Sequence, residues 1–168
     1  GTDTYRLEAD SAQTTGLGWK KGDYNVHAYH DTTQSCSAGA NTALNLNQET
    51  FDTDTMHDNV TNNTRITFTT AGKYLVCYSV NVSGTAGATA ATVVAFIRPN
   101  GSGAIRGLTS KIMTLPVSGT FDWNLTASGL LEASAGGYVE LVIQNNMAAN
   151  SVTTASPTVS ACKIDRAG

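Results

Sequence analysis

Between Lys73 and Ser83 the even positions Tyr74, Val76, Tyr78, Val80 and Val82 form an unbroken apolar series. A period of two is that of a strand lying with one face on a core, and a helix does not produce it. The pattern returns in Phe121 to Ala127, where Phe121, Trp123 and Leu125 alternate with Asp122, Asn124 and Thr126. It returns again in Tyr138 to Asn145, directly after Gly136-Gly137, with Val139, Leu141 and Ile143 on one face and Glu140 and Gln144 on the other. These are three half-buried strands, and the alternation directs Trp123 toward the core.

Weaker strand patterns run over Tyr24 to His30, Ala43 to Asn47, Arg65 to Thr69, Ala91 to Arg98, Ala104 to Met113 and Pro157 to Asp165. Turn signals fall at Ala71-Gly72, Pro99-Asn100-Gly101, Ser118-Gly119, Ser128-Gly129 and Gly136-Gly137, where a positive φ is cheapest. Gly84 to Thr92 reads as a flexible loop feeding a strand rather than true low complexity. About nine strands at this spacing predict an all-β sandwich. Only 14% of the residues are charged and helix formers are scarce, so no helix is expected. A chain of 168 residues fits one domain, and folding at that length buries roughly 70% of the extended chain's surface. The division predicted is an N-terminal extension or connector over 1–23 and one domain over 24–168.

A net charge of −3 with dispersed Lys and Arg leaves no basic stripe for phosphates, which excludes nucleic acid as the expected partner. No apolar run approaches the ~20 residues of a membrane span, and Gly1 to Asp10 lacks a secretory pattern. The chain begins without a methionine, so it is expected to be a processed product or part of a longer protein. Cys36, Cys77 and Cys162 lack the spacing of a zinc or redox motif, and Cys77 reads as a small hydrophobe within its strand.

Asp52, Asp54 and Asp58, with His57 among them, form the one candidate metal site. Such a loop could hold calcium if carbonyls and water completed six to eight ligands, but the simpler reading is a solvated acidic turn. His27 and His30 lie three apart in a strand and so face opposite ways. No nucleophile-elbow or active-cysteine pattern is present. Glycosidase-type carboxylate pairs could be drawn only arbitrarily from Glu8, Glu49, Glu132 and Glu140. No catalytic residue is predicted, and the chain reads as a non-enzyme. Trp19 is the tryptophan left free for sugar stacking, with packing at the base of the domain as its simpler role. The Asn-x-Ser/Thr sequons at Asn59, Asn62, Asn81, Asn100 and Asn124 follow from a chain rich in Asn and Thr, and Asn81 and Asn124 sit in strands.

The run RITFTTAGKYLVCYSVNV, Arg65 to Val82, resembles the central signature of the complement q-subcomponent globular head, whose fold is shared with the tumour necrosis factor family. Gly72 supplies the turn, while Ile66 and Val76 stand where that family usually has Phe. The preceding ETFDTDTMHDNVTNNTRITF looks like the version of this head found in bacteriophage virion proteins. GLLEASAGGYVELVIQNN resembles the family's penultimate hairpin, with Gly137 where Asp is more usual. YRLEADSAQTTGLGW, Tyr5 to Trp19, is similar to a connector between phage tail-fibre shafts and such heads.

The resemblance covers roughly Tyr24 to Asp165. It implies a jelly-roll β-sandwich of about ten antiparallel strands, a homotrimer around a threefold axis, and recognition through exposed loops or the outer surface. The function implied is a trimeric adhesion head of a bacteriophage fibre or receptor-binding protein on the virion surface, with other virion proteins and a host surface receptor or glycan as partners. Two alternatives stand beside it. One is a capsid decoration or head-fibre protein on the major capsid protein; the other is a secreted carbohydrate-binding or signalling module.

Overall fold

The computed structural model describes residues 5–9, 12–87, 90–103, 111–115 and 117–165. Every regular element among them is a strand. In chain order these are β1 (Tyr5–Ala9), β2 (Leu17–Lys21), β3 (Asn25–Tyr29), β4 (Thr33–Cys36), β5 (Asn41–Ala43), β6 (Gln48–Asp52) and β7 (Arg65–Thr67). After them come β8 (Gly72–Ala86), β9 (Ala91–Pro99), β10 (Lys111–Leu115), β11 (Gly119–Ala133), β12 (Tyr138–Asn145) and β13 (Val152–Lys163). One sheet has the order β11-β8-β13-β3-β6, with β4 also on β13; the other has β10-β9-β12, with β5 and β7 both on the far side of β12. From β8 onward the chain passes back and forth between the sheets, and all pairings are antiparallel. The architecture is an all-β jelly roll. β1 and β2 pair only with each other.

The core lies between the sheets and is made by the alternating rows. Tyr74, Val76, Tyr78, Val80 and Val82 of β8 are buried, as are Val139, Leu141 and Ile143 of β12 and Val93, Ala95 and Ile97 of β9. Polar ties cross between the sheets. The Tyr78 hydroxyl donates to the Ala95 carbonyl at 2.8 Å, and Gln34 of β4 donates to the Ala43 carbonyl at 3.1 Å while accepting from the Asn45 N–H at 2.9 Å. The turns use the expected positions, with positive φ at Asn100, Gly101, Ser118, Gly119 and Gly136.

Several expectations are corrected. Ser128-Gly129 is no turn: it lies inside β11, opposite Cys77 and Val76, because β11 follows β8 along its whole length. For the same reason Gly84 to Ala86 belongs to β8 rather than to a loop. Trp123 has the parity of Phe121 and Leu125 yet is 40% exposed, since β11 is an edge strand and its inward face is only partly covered there. β13 starts at Val152 rather than Pro157. Its register shifts between Ala155 and Thr158, with Ser156 at φ 47°, and a bulge is where a proline without an N–H fits a strand. The Pro157 carbonyl accepts the His30 N–H at 3.0 Å. Ala43 to Asn47 is strand only at its start, in β5. Of the strand expected over Ala104 to Met113, residues 104–110 lie outside the described residues. Cys77 is in its strand but half-buried on the outward face, and the buried cysteine is Cys36, whose thiol burial pushes up to about 11.

Gly72 opens β8 at φ +153°, and a Cβ there would collide with Lys163 Cε and lie 2.7 Å from Asp165 Oδ1. The positive φ disfavours any side chain there, and a Cβ would also have to push aside the end of the Lys163 side chain. Gly72→Ala is expected to cost about 1–3 kcal/mol from strained backbone and displaced Lys163, against about 1 kcal/mol for Tyr78→Phe, which loses the hydrogen bond to the Ala95 carbonyl. Urea unfolding of both variants checks the order, and a neutral Gly72→Ala would contradict backbone strain at this position.

Candidate functional site

Because side chains alternate, each sheet carries a second, outward face. On the six-stranded sheet, register builds this face row by row. Leu130 of β11 stands opposite Leu75 of β8, which stands opposite Cys162 of β13. The next row holds Ser128, Cys77, Ser160, His27 and Phe51. Leu75 is 38% exposed, Leu130 64%, Phe51 48% and Ile164, just after β13, 49%. The His27 ring lies 6.0 Å from both Tyr29 and Phe51. Toward the other end the face turns polar: Asn81 Nδ2 donates to Asp122 Oδ1 at 2.5 Å and Ser79 Oγ donates to Asn124 Oδ1 at 3.2 Å. Asn81 and Asn124 are thus strand residues with partners.

The five-stranded sheet presents a different outward face. Val94 and Phe96 of β9 and Val142 of β12 form a second apolar cluster, each less than a tenth exposed. Above it in register, Arg98 of β9, Glu140 of β12 and Arg65 of β7 make one row. Glu140, expected on a wet face, is 5% exposed. Its Oε2 accepts from Arg98 Nε and Nη2 at 3.1 and 2.8 Å, and its Oε1 accepts from Thr64 Oγ1 at 3.2 Å and Arg65 Nε at 3.4 Å. The Arg65 guanidinium also lies 4.1 Å above the Tyr138 ring centroid. A buried carboxylate is tolerable only with such pairing. Glu140 is therefore held in an ion pair. Glu49 and Glu132 sit on β6 and β11, at opposite edges of the other sheet, so these three carboxylates do not converge. The side chains of Glu8 and Trp19 lie outside the described residues.

The acidic loop is built around backbone donors. Asp52 accepts the N–H groups of Asp54 and His57 at 3.0 and 2.8 Å. Buried Asp54 accepts from the Thr69 and Thr70 hydroxyls. Asp58 accepts from Val60 and Thr61 N–H at 2.8 and 2.9 Å. The buried His57 ring sets Nδ1 and Nε2 each 2.8 Å from a carbonyl oxygen, those of Arg65 and Leu46. The loop is thus partly interior rather than a freely solvated turn. Among the described residues no group of three or more His, Cys, Asp or Glu is placed to hold a metal ion. His27 faces outward and His30 is buried, so the two do not converge.

No protein-family model matches the chain, and no curated protein does. Solved structures do. The globular domain of zebrafish complement 1qA protein superposes with a TM-score of 0.58 at 9% identity, covering 86% of this chain and 99% of that one. Eiger TNF from S. frugiperda gives 0.56 at 13% identity, covering 87% and 95%. Murine APRIL at pH 5.0 gives 0.52 at 13% identity, covering 84% and 99%. At these identities the likeness defines the fold class, a jelly roll of the complement 1q and TNF kind.

The N–H groups of Thr61 and then Val60 hold the Asp58 carboxyl below its ordinary value of 3.8, aided by His57. The Lys73 N–H does the same for Asp165. A carboxylate held low in the folded chain adds stability above its unfolded value, and that contribution is lost as pH falls through the depressed one. The thermal midpoint is therefore expected to fall below about pH 4. Asp58→Asn, which keeps an acceptor but does not titrate, should fall less steeply in scans from pH 6 to 2; an unchanged slope would contradict this role.

Proposed function

We propose that this chain is a non-enzymatic recognition head that works as a homotrimer on a bacteriophage particle, at the tip of a fibre or receptor-binding protein. Its task in this reading is adhesion to a ligand on the host surface. The observation that carries the reading is the outward face of the six-stranded sheet, where Leu75, Leu130, Phe51 and Ile164 remain exposed. Apolar side chains clustered on one face mark an interaction surface, and three copies of that face turned toward a common threefold axis would cover one another in a closed symmetric assembly. The fold class, shared with complement 1qA and TNF proteins, supports a recognition role, and the connector-like Tyr5 to Trp19 and the acidic-loop phrase support the virion. Three copies on one axis multiply a weak contact by avidity, by 10²–10⁴ on the order of magnitude known for linked sites.

Capsid decoration is the second reading. The β1–β2 hairpin favours it, because it pairs with neither sheet, as a docking arm onto the major capsid protein would.

Light-scattering mass on the purified protein tests the assembly, run with and without a chelator. A mass near three times 17.5 kDa is expected in both, and a stable monomer would overturn the proposal. Leu130→Glu puts a charge among the exposed apolar residues while leaving the buried rows alone, so it is expected to yield folded monomer by mass and circular dichroism. A Leu130→Glu variant that still trimerises would move the interface to another face.

A further inference from the structure

The outward face of the five-stranded sheet contains a cavity of about 320 Å³ lined by Asn41, Val94, Phe96, Arg98, Gly101, Gly103 and Gln144. Register explains its make-up. Arg98 stands in the top row beside Glu140, Phe96 in the next beside Val142, and Val94, Gln144 and Asn41 in the third. The cavity thus has an apolar floor, a guanidinium at one end and two carboxamides at the other. Gly101 and Gly103 bring backbone without side chains to its wall.

Three features specify an occupant. Arg98 gives Nε and Nη2 to Glu140, while its Nη1 has no hydrogen-bond partner among the described residues. Two guanidiniums, Arg65 and Arg98, share the single Glu140 carboxylate, which leaves one net positive charge beside the cavity among the described residues. The side-chain amides of Asn41 and Gln144 likewise have no partner among the described residues. Each offers a donor and an acceptor, the combination that hydroxyl groups match. The volume lies at the low end of small-molecule sites, about 300–1,000 Å³, which suits one sugar unit better than an extended chain.

We infer that this cavity binds a carboxylate-bearing sugar, an acidic monosaccharide unit of a surface glycan. The carboxylate meets Arg98 Nη1, and ring hydroxyls bond to Gln144 and Asn41. The inference rests on the reading of the chain as a recognition head and names the ligand class of such a head. It places recognition on the sheet opposite the proposed assembly face, so both surfaces are used at once.

Saturation-transfer NMR on the intact chain with N-acetylneuraminic acid, glucuronic acid and glucose tests it. Transfer is expected from at least one acidic sugar, with glucose at least about tenfold weaker, as loss of a hydrogen bond to a charged group implies. Asn41→Ala and Gln144→Ala remove groups without partners among the described residues, so both should keep the wild-type thermal midpoint and mass while weakening binding severalfold. Arg98→Gln should abolish binding, but it uncovers Glu140 and is interpreted only if its thermal midpoint is retained. Equal transfer from glucose would overturn the carboxylate assignment. Binding untouched by both amide variants would overturn the site, and no transfer from either acidic sugar would overturn the inference. If the sugars fail while the mass stays trimeric, the recognition head stands and only its ligand class is lost.

Discussion

The structure depends on the register of β8. This strand pairs with β11 along all fifteen of its residues and with β13 on its other side. Its even residues build the core and its odd residues build the outward face. A slip of one residue would drive Ser79, Asn81 and Ser83 into the interior and expose two tyrosines and three valines, so the buried row fixes the register strongly. The Tyr78 hydroxyl then reaches the Ala95 carbonyl and positions the second sheet against the first. Once β8 is set, the exposed Leu75, the pairing of Leu130 with it and the place of Cys162 all follow.

Strict alternation made the core legible. The buried rows of β8 and β12 were readable residue by residue, and the positive-φ turns after β9 and β11 could be placed from Pro99-Asn100-Gly101 and Gly136-Gly137. What escaped lacks that signal. β4 and β6 are short and polar, and they exist because β13 and β3 offer edges to pair with. Pro157 looked like a strand start because a bulge inside a strand leaves no local mark except the proline itself. Trp123 followed the pattern correctly, but periodicity cannot tell an edge strand from a central one.

The candidate sites were less legible than the fold. The acidic loop was conspicuous, yet its carboxylates are occupied with N–H groups and hydroxyls of their own surroundings, which spacing alone does not reveal. Glu140 read as a solvent-facing residue because its partners, Arg65 and Arg98, are distant in sequence and meet it only through β7 and β9. One signal did point to the outward face of the five-stranded sheet. Val93 to Ile97 is apolar at every position, and a strand apolar on both faces is covered on both. In such a chain the strongest hint of a second buried surface is a failure of alternation.

Assembly through the six-stranded sheet is the central claim, and Cys162 reports on it from within the face. It is exposed in the single chain and lies beside Leu75. The most direct measurement is the rate of its alkylation in the native protein, read by peptide mass spectrometry against the urea-unfolded chain. Burial between copies should slow Cys162 by at least about tenfold, the factor set by 1.4 kcal/mol of protection. Alkylation as fast as in the unfolded chain would mean that this face is open to solvent and that the copies, if they associate, meet elsewhere.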